Sequence, residues 1–248
     1  MAKSTAGRTR PELLNLEPGV LSSKTAARPK RLSTAVSEEL LRRIISGEYS
    51  IGSLLPPEPQ IVAEFDVSRP VAREAVKFLE AAGLVSIRQG EGTVVRQRSH
   101  WNFIDPNVLR IALALNVSDR MRSDAITLRM HLELSLLEEA TRQLTEDDFA
   151  EMETQLRRMD AATTLDELTD ADLAFHRVYH SRAGNLLTVG IVHLLVQEMP
   201  PPARVMEDPR GSYDRANVQH WAIYRALREG RFDDAQDALR EHVGHMWT

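Results

Sequence analysis

One segment of the sequence, Asp172-Leu173-Ala174-Phe175-His176, places a carboxylate and an imidazole four residues apart. Side chains at this spacing lie on the same face of an α-helix and can reach one cation. Two further histidines, His220 and His242, lie about equally far before and after Gly230-Arg231. If the flanking helices form a hairpin there, a rise of about 1.5 Å per residue brings both imidazoles level. The four side chains therefore predict a metal site.

The donor set restricts the choice of metal. One carboxylate and three imidazoles suit zinc, or nickel, cobalt or manganese, with positions left for water or a ligand oxygen. The sequence contains no cysteine, which excludes thiolate zinc sites, disulfides and cysteine nucleophiles. We expect one divalent metal per chain, and we expect His180, His193 and His245 to be core or surface residues.

A second pattern with chemical potential lies on a helix expected from Arg69 to Ala82, with Ser68 as its N-cap. On a helical wheel of about 100° per residue, Arg69, Arg73 and Lys77 point to one side. The opposite side is apolar and consists of Val71, Ala75, Phe78, Leu79 and Ala82. Such a helix fits the major groove of double-stranded DNA, where arginine can pair with guanine O6 and N7. The alternative is that the arginines are solvated and pair locally with Glu74 or Glu80.

The elements around this helix predict a winged helix-turn-helix. A first helix is expected after Leu32, with Ser33 or Thr34 as N-cap, and a second over 58–65, followed by a three-residue turn. Two short strands, 84–88 and 93–95, flank a glycine-rich turn. We expect Ser68 and the helix N-terminus to bind a DNA phosphate, and Gln89 and Gly90 in the wing to approach the sugar-phosphate backbone.

The remainder of the chain is expected to be an all-helical bundle, so the fold class is mainly α. Helical periodicity predicts helices near 107–115, 123–144, 147–160, 166–182, 186–199, 214–229 and 232–247, with a loop over Met199–Gly211. The expected organisation is a flexible basic tail (1–30), a winged DNA-binding domain (31–98), a linker (99–118) and an all-helical domain (119–248) that contains the expected metal-binding residues.

Charge is distributed unevenly along the chain. The net charge is −5, but residues 1–100 carry 15 Lys+Arg against 11 Asp+Glu, and the rest carries 16 against 25. This asymmetry indicates that the N-terminal half binds a polyanion. No apolar run approaches the roughly 18 to 20 residues of a membrane span, and the first thirty residues lack a secretory signal. We therefore expect a cytoplasmic protein with no membrane partner.

Several motifs of the N-terminal half resemble the DNA-binding domain of the GntR family of bacterial regulators. These motifs are Leu55-Pro56-Pro57-Glu58, Ser68-Arg69-Pro70-Val71-Ala72-Arg73-Glu74-Ala75 and Gly90-Glu91-Gly92-Thr93. The resemblance implies that Arg69, Arg73 and Gly90 contact DNA. Family members often carry arginine directly after the glutamate of the L-P-x-E motif. This chain has Pro59 there, so that contact is not expected.

The C-terminal half is similar to the all-helical ligand-binding FCD domain of the FadR-type branch of that family. The similarity rests on Asp-x-x-Phe-His at 172–176, on Gly184-Asn185, and on the surroundings of His220 and His242. It implies a divalent metal held by one aspartate and three histidines at these positions. The segment 101–109 resembles the linker of sugar-acid regulators in the family, although it could simply be an aromatic anchor against the bundle.

Arg129 and Glu133 are also four residues apart. Their simplest interpretation is an exposed ion pair worth at most about half a kcal/mol. The resemblance instead implies that Arg129 faces the metal cavity and fixes the carboxylate of an effector, a task suited to its two-donor fork. Asn185 could line the same cavity, or it could only be a turn residue beside Gly184.

These features predict a homodimeric transcription factor, not an enzyme. It would most simply be a repressor that binds an inverted repeat in double-stranded DNA. A small carboxylate, for example an aldonate such as galactonate or gluconate, would release it by binding beside the metal. One alternative is a metal-dependent hydrolase with a fused nucleic-acid-binding module, because an Asp/His site can also activate water. Another is a regulator whose metal is purely structural or is itself the signal.

Overall fold

The computed structural model describes residues 27–115, 120–199 and 207–247. Its helices are α1 (Ala27–Ser46), α2 (Glu58–Phe65), α3 (Arg69–Ala81), α4 (Pro106–Ala114), α5 (Met121–Thr141), α6 (Glu146–Ala161), α7 (Leu165–Ala183), α8 (Leu186–Glu198), α9 (Pro209–Arg228) and α10 (Phe232–Trp247). Two strands, β1 (Val85–Arg88) and β2 (Gly92–Val95), follow α3. The mainly helical fold class with a winged helix-turn-helix is confirmed.

The N-terminal unit is built around the apolar faces of α1, α2 and α3. Its core includes Leu40, Ile61, Leu79 and Leu84, each fully buried. The strands β1 and β2 form an antiparallel hairpin in which Val85 pairs with Val95. Helix α2 begins directly after two prolines, because a helix tolerates proline only in its first turn. The hairpin thus stands beside α3, as a wing requires.

Two details of this unit differ from the expectation. Helix α1 begins at Ala27, so the end of the segment expected as a tail is helical, while residues 1–26 lie outside the described residues. Pro29 falls in the first turn of α1, where a missing backbone N–H costs no hydrogen bond. Ser68 occupies the N-cap position of α3, but its side chain makes no capping hydrogen bond.

Gly83 fixes how α3 is joined to the wing. It adopts a φ of +77°, and a Cβ built at this position would lie 2.1 Å from the carbonyl oxygen of His100. A hydrogen bond from the backbone N–H of Asn102 to the carbonyl of Ala82 also holds the segment around His100 against the end of α3. Only glycine combines this conformation with so close a backbone approach.

The C-terminal unit is an all-helical bundle formed by α5 to α10. Helices α6 and α7 begin with capping boxes at Thr145 and Thr164, the arrangement that satisfies the first free backbone N–H groups. Helices α9 and α10 form the expected hairpin, with Gly230 at a φ of +71°. Helix α9 begins at Pro209, inside the segment expected as a loop, because the Asp208 side chain accepts a hydrogen bond from the backbone N–H of Gly211.

Helix α4 contacts both units. Its residues Val108 and Ile111 are buried in the N-terminal core, whereas Leu109 and Leu113 belong to the core of the bundle. On the same helix, Arg110 Nη2 donates to Glu38 Oε1 of α1 at 2.8 Å, and its Nε lies 3.6 Å from Glu198 Oε2 of α8. The segment expected as a linker therefore joins the two cores through direct packing.

Trp101 adds to this junction from the N-terminal side. Its ring is buried in the core of the winged unit, and its Nε1 donates to the carbonyl of Arg96 at 3.0 Å. The aromatic anchor therefore packs on the winged unit and not on the bundle. Among the described helices, none is long and apolar enough to cross a membrane.

Candidate metal centre and nucleic-acid interface

The four residues expected to bind metal converge inside the bundle. Asp172 and His176 lie on α7, His220 on α9 and His242 on α10. One ligand atom from each lies within 4.8 Å of the others. His220 Nε2 is 3.1 Å from His176 Nε2 and 3.3 Å from Asp172 Oδ1, and the His220 and His242 ring centroids are 4.2 Å apart.

The hydrogen bonding of this group fits a cation. Asp172 Oδ1, which lies 3.3 Å from His220 Nε2, is buried and has no hydrogen-bond partner in the described part of the chain. Buried polar atoms of this kind are costly unless something else satisfies them. Ligands about 2.0–2.2 Å from a zinc ion lie about 3–3.5 Å apart, which is close to the separations at His220. The residues present therefore fit a divalent metal.

The protonation states also suit metal binding. Burial lowers the pKa of His220 to about 3, and it holds the pKa values of His176 and His242 well below the ordinary 6.5. The imidazoles are therefore neutral at pH 7, the form that ligates metal. Burial raises the pKa of the Asp172 carboxyl to about 7, although the nearby Arg129 charge opposes this rise. A bound cation would stabilise the carboxylate form.

Arg129 and Glu133 form a buried pair on α5 and not an exposed one. Their side chains are 5% and 1% exposed, and the Arg129 Nε and Nη2 atoms each lie 3.4 Å from Glu133 Oε1. Burial alone would raise the pKa of Glu133, but the hydrogen bond from His180 and the charges of His180 and Arg129 lower it to about 2. Arg129 also lowers the pKa values of His176, His220 and His242. Its charge therefore acts directly on the candidate metal centre.

Three buried residues beside the centre were not among the expected site residues. Glu133 Oε2 accepts hydrogen bonds from the Tyr179 hydroxyl at 2.7 Å and from His180 Nε2 at 2.8 Å. Glu133, His176 and His180 form a second group whose ligand atoms lie within 4.8 Å of one another. The expectation that His180 is a core residue agrees with its burial but misses its bond to Glu133. The signal was present in the spacing, since His180 follows His176 by one helical turn.

The structure does not bring every expected residue to the centre. Asn185 is exposed, and its side chain accepts from the backbone N–H of Thr188 as the N-cap of α8. The cavity-lining role considered for Asn185 is therefore corrected to a helix-capping one. His193, which was expected to be a core or surface residue, is exposed on α8 with its ring centroid 5.8 Å from that of His180. The side chain of His245 lies outside the described residues.

Helix α3 presents the expected cationic face. Arg69, Arg73 and Lys77 are exposed, whereas Val71, Ala75 and Leu79 are buried on the opposite side. Arg69 and Arg73 make no ion pair or side-chain hydrogen bond with other described residues. The possible local partners are engaged elsewhere: Glu74 lies 3.7 Å from Lys77, and Glu80 accepts from the backbone N–H of Ile87. Both arginine side chains are thus available to an external polyanion.

The tip of the wing is exposed beside this helix. Gln89 and Gly90 lie in the turn between β1 and β2, and Gly90 has a φ of +82° with open space around it. Arg88 and Glu91 form an exposed ion pair at 3.2 Å across the turn. The backbone at Gly90 can therefore approach a surface closely.

Comparison with known sequences identifies a protein family profile for each half of the chain. A profile described as bacterial regulatory proteins of the gntR family matches residues 32–95, and a profile of the FCD domain matches residues 124–245. The chain is 33% identical over 172 residues to an uncharacterized HTH-type transcriptional regulator, YieP, of Escherichia coli, covering 68% of this chain and 75% of the relative.

Two other similar proteins are described as repressors. The galactonate operon transcriptional repressor of Escherichia coli is 28% identical over 207 residues, covering 79% of this chain and 87% of that protein. The HTH-type transcriptional repressor NanR of Cronobacter sakazakii is 30% identical over 233 residues, covering 88% and 85%.

A solved structure shares the fold. It is that of Lar, described as controlling expression of the Listeria monocytogenes agr system, and it has a TM-score of 0.56 at 21% identity. The alignment covers 87% of this chain and 94% of that one. The similarity extends across both the winged unit and the helical bundle.

Proposed function

This chain belongs to the GntR family of bacterial regulatory proteins, and we propose that it is a homodimeric repressor that a small carboxylate releases from DNA. The observation that carries the proposal is the convergence of Asp172 with three buried histidines, in a bundle fused to an exposed cationic recognition helix. A regulator of this kind works where the chromosome is, so we place it in the cytoplasm.

The DNA-binding part of the proposal rests on α3 and the wing. Arg69 and Arg73 would enter the major groove, with Lys77 and the N-terminus of α3 at Ser68 near phosphates. Gln89 and Gly90 would approach the neighbouring backbone. Two copies of α3 in a homodimer would read an inverted repeat, because the two-fold symmetry of the protein is mirrored in its operator.

The ligand-binding part rests on the centre in the bundle. Asp172, His176, His220 and His242 would hold a divalent metal, which we infer to be zinc, with nickel, cobalt or manganese as alternatives. The metal would supply a Lewis-acidic anchor for carboxylate and hydroxyl oxygens. Arg129 would pair with the effector carboxylate, since its charge already lowers the pKa values of all four residues proposed to bind the metal. The similarity to a galactonate operon repressor makes aldonates such as galactonate and gluconate the first ligands to test.

Helix α4 offers the route from the centre to the DNA-binding unit. Helix α5, which carries Arg129, packs on α8, and α8 packs on α4. Arg110 of α4 then contacts both Glu198 of α8 and Glu38 of α1. An effector that favours one arrangement of α5 and α8 would shift the position of α1 and thereby the spacing of two recognition helices.

Replacement of Arg73 tests the DNA-binding part. Arg73→Ala should lower the ratio of operator affinity to random-DNA affinity by about 5- to 150-fold, because a bidentate guanine contact carries about 1–3 kcal/mol of discrimination. Fluorescence anisotropy at fixed salt measures this ratio. Arg142→Ala is the matched control, since Arg142 is a 79% exposed arginine on the bundle and should leave the ratio unchanged. An unaltered ratio in Arg73→Ala contradicts the assignment of α3.

A ligand screen tests the effector-binding part. Sugar acids, hydroxy acids and dicarboxylates are added to zinc-loaded protein, and melting temperature, operator affinity and ligand turnover are recorded. A repressor gives a raised melting temperature together with weaker operator binding, and the ligand is recovered unchanged. Conversion of the ligand would favour a metal-dependent hydrolase. A melting shift with zinc but with none of the acids would favour a purely structural metal, whereas operator binding that depends on zinc alone would make the metal the signal.

A further inference from the structure

A chain of short hydrogen bonds leads from the Arg129–Glu133 pair to one of the metal-binding histidines. The Tyr179 hydroxyl lies 2.7 Å from Glu133 Oε2 on one side and 2.7 Å from His176 Nδ1 on the other. All three side chains belong to buried residues, and Tyr179 is fully enclosed. No solvent competes for these bonds.

The directions of these bonds follow from the number of protons. A tyrosine hydroxyl has one proton, and an ionised carboxylate can only accept, so Tyr179 donates to Glu133. The remaining bond at the hydroxyl oxygen must then be donated by His176, from Nδ1–H. A neutral imidazole with its proton on Nδ1 has its lone pair on Nε2. That is the nitrogen which lies 3.1 Å from His220 Nε2, within the candidate metal centre.

We propose that Tyr179 is a positioning residue that holds His176 in the Nδ1–H form and so presents Nε2 to the metal. Partners of this kind fix the ring orientation of a metal-binding histidine and increase its basicity as a ligand. The role rests on the metal centre proposed above and adds to it a residue that does not touch the metal.

The surroundings of Glu133 keep its carboxylate in place to accept this bond. His180 Nε2 donates to the same oxygen, Oε2, at 2.8 Å, while Arg129 approaches Oε1 at 3.4 Å. Glu133 therefore connects the arginine proposed to anchor the effector with the hydroxyl that orients His176. Movement of Arg129 toward an effector would act on the metal ligand through this carboxylate.

The hydrogen-bonded arrangement also accounts for the second group of possible metal ligands, Glu133, His176 and His180. The Tyr179 hydroxyl already bonds Glu133 Oε2 and His176 Nδ1, and His180 Nε2 bonds the same Glu133 oxygen. We therefore assign these three residues to the support of one metal and not to a second metal site.

The decisive variant is Tyr179→Phe in the full-length protein, which removes only the hydroxyl. Zinc affinity is measured by competition with a chromophoric chelator, and it should fall by about 10- to 100-fold. Tyr224→Phe is the matched control, because the Tyr224 hydroxyl also donates to a carboxylate, Glu153 at 3.0 Å, and Glu153 belongs to neither group of possible metal ligands. Its zinc affinity should equal that of the wild type.

Long-range proton–nitrogen NMR shows which nitrogen of each histidine ring carries the proton. This position would not change in Tyr179→Phe if Tyr179 only filled space in the core. In the metal-free wild type, His176 should carry its proton on Nδ1, and Tyr179→Phe should lose this single form. The wild-type spectrum tests the inference even if the variant folds poorly. A proton on Nε2 in the wild type, unchanged zinc affinity in Tyr179→Phe, or two zinc ions per chain would overturn it.

The same experiment separates this inference from the proposed metal site. A wild-type chain that binds no zinc contradicts the metal site, and the NMR signal of His176 then decides on the hydrogen-bonded chain by itself. A wild-type chain that binds one zinc ion, with affinity unaffected by Tyr179→Phe, keeps the metal site and contradicts the role of Tyr179.

Discussion

His220 is the central member of the candidate metal centre, so its replacement gives the sharpest test of that centre. It is fully buried, its Nε2 lies within 3.3 Å of both Asp172 Oδ1 and His176 Nε2, and its ring is 4.2 Å from that of His242. His220→Ala removes one ligand and leaves the other three without their nearest neighbour. We expect the purified variant to lose most of its metal.

The stability effect of the metal can be worked out from mass action. A ligand at a free concentration of 100 times its Kd stabilises the folded state by about 2.7 kcal/mol. For a chain of this length, each kcal/mol shifts the melting temperature by about 2–4 °C. Zinc should therefore raise the melting temperature of the wild type by about 5–11 °C and that of His220→Ala by almost nothing. The ligands come from three helices, α7, α9 and α10, so the metal ties together segments that otherwise only pack.

The assay compares each protein with and without zinc, by calorimetry and by elemental analysis of bound metal. The difference in melting temperature between the metal-free wild type and metal-free His220→Ala measures the packing cost of removing the buried ring. This difference is then subtracted from the difference measured with zinc. His193→Ala is the control, because His193 is an exposed histidine on α8 and should keep the full zinc response. The reasoning is refuted if His220→Ala retains one metal per chain or shows the wild-type melting shift.

Three further predictions concern the frame around the sites. Gly83→Ala should lower the free energy of unfolding, measured in urea, by more than about 2 kcal/mol. The left-handed conformation alone costs about 1–2 kcal/mol, and the added Cβ would lie 2.1 Å from a backbone carbonyl oxygen. The control is Gly47→Ala, at a φ of +88° in open space, which should cost only the conformational part. Arg110→Ala should reduce the effect of the effector on operator affinity by up to about 30-fold, because it removes two partly exposed ion pairs that are worth about 0.2–1 kcal/mol each. An unchanged effect would contradict the route through α4. Burial raises the pKa of Asp148, but hydrogen bonds from its arginine and threonine partners outweigh burial and hold the pKa below 3.8. The carboxylate therefore stabilises the fold above that value, and the stability deficit of Asp148→Asn at pH 7 should shrink as the pH falls below 3.8; a deficit that is constant with pH would refute this.

Local patterns in the sequence were enough to predict most of the elements. The prolines before Glu58, the turn at 66–68 and the glycine at 83 predicted α2 and α3 to within one residue. Such signals depend on backbone geometry at a few neighbouring residues, which does not need the rest of the fold. The start of α1 was missed because its first turn is basic and contains Pro29, features that fit a tail as well as a helix N-terminus.

The metal set was predictable for a related reason. Asp172 and His176 share one helix, and His220 and His242 flank one hairpin, so local periodicity and a single turn were sufficient to predict two pairs. That the two pairs form one set was implied by the resemblance to the FCD domain, and it depends on the packing of α7 against α9. Their burial and the neutral state of the imidazoles could not be predicted in the same way, because both depend on the apolar side chains that surround them in the bundle.

Only the tertiary structure decided the environment of Glu133. The sequence pairs it with Arg129 by helical spacing, but its bonds to Tyr179 and His180 join residues 46 and 47 positions away on another helix. Helical spacing gives no reason to connect Tyr179 with Glu133, and it leaves Asn185 as either a cavity-lining residue or a turn residue beside Gly184. The packing of α5 against α7 brings the hydroxyl of Tyr179 between a carboxylate and an imidazole. Asn185 caps the exposed start of α8, which agrees with the turn-residue alternative and not with the cavity-lining one.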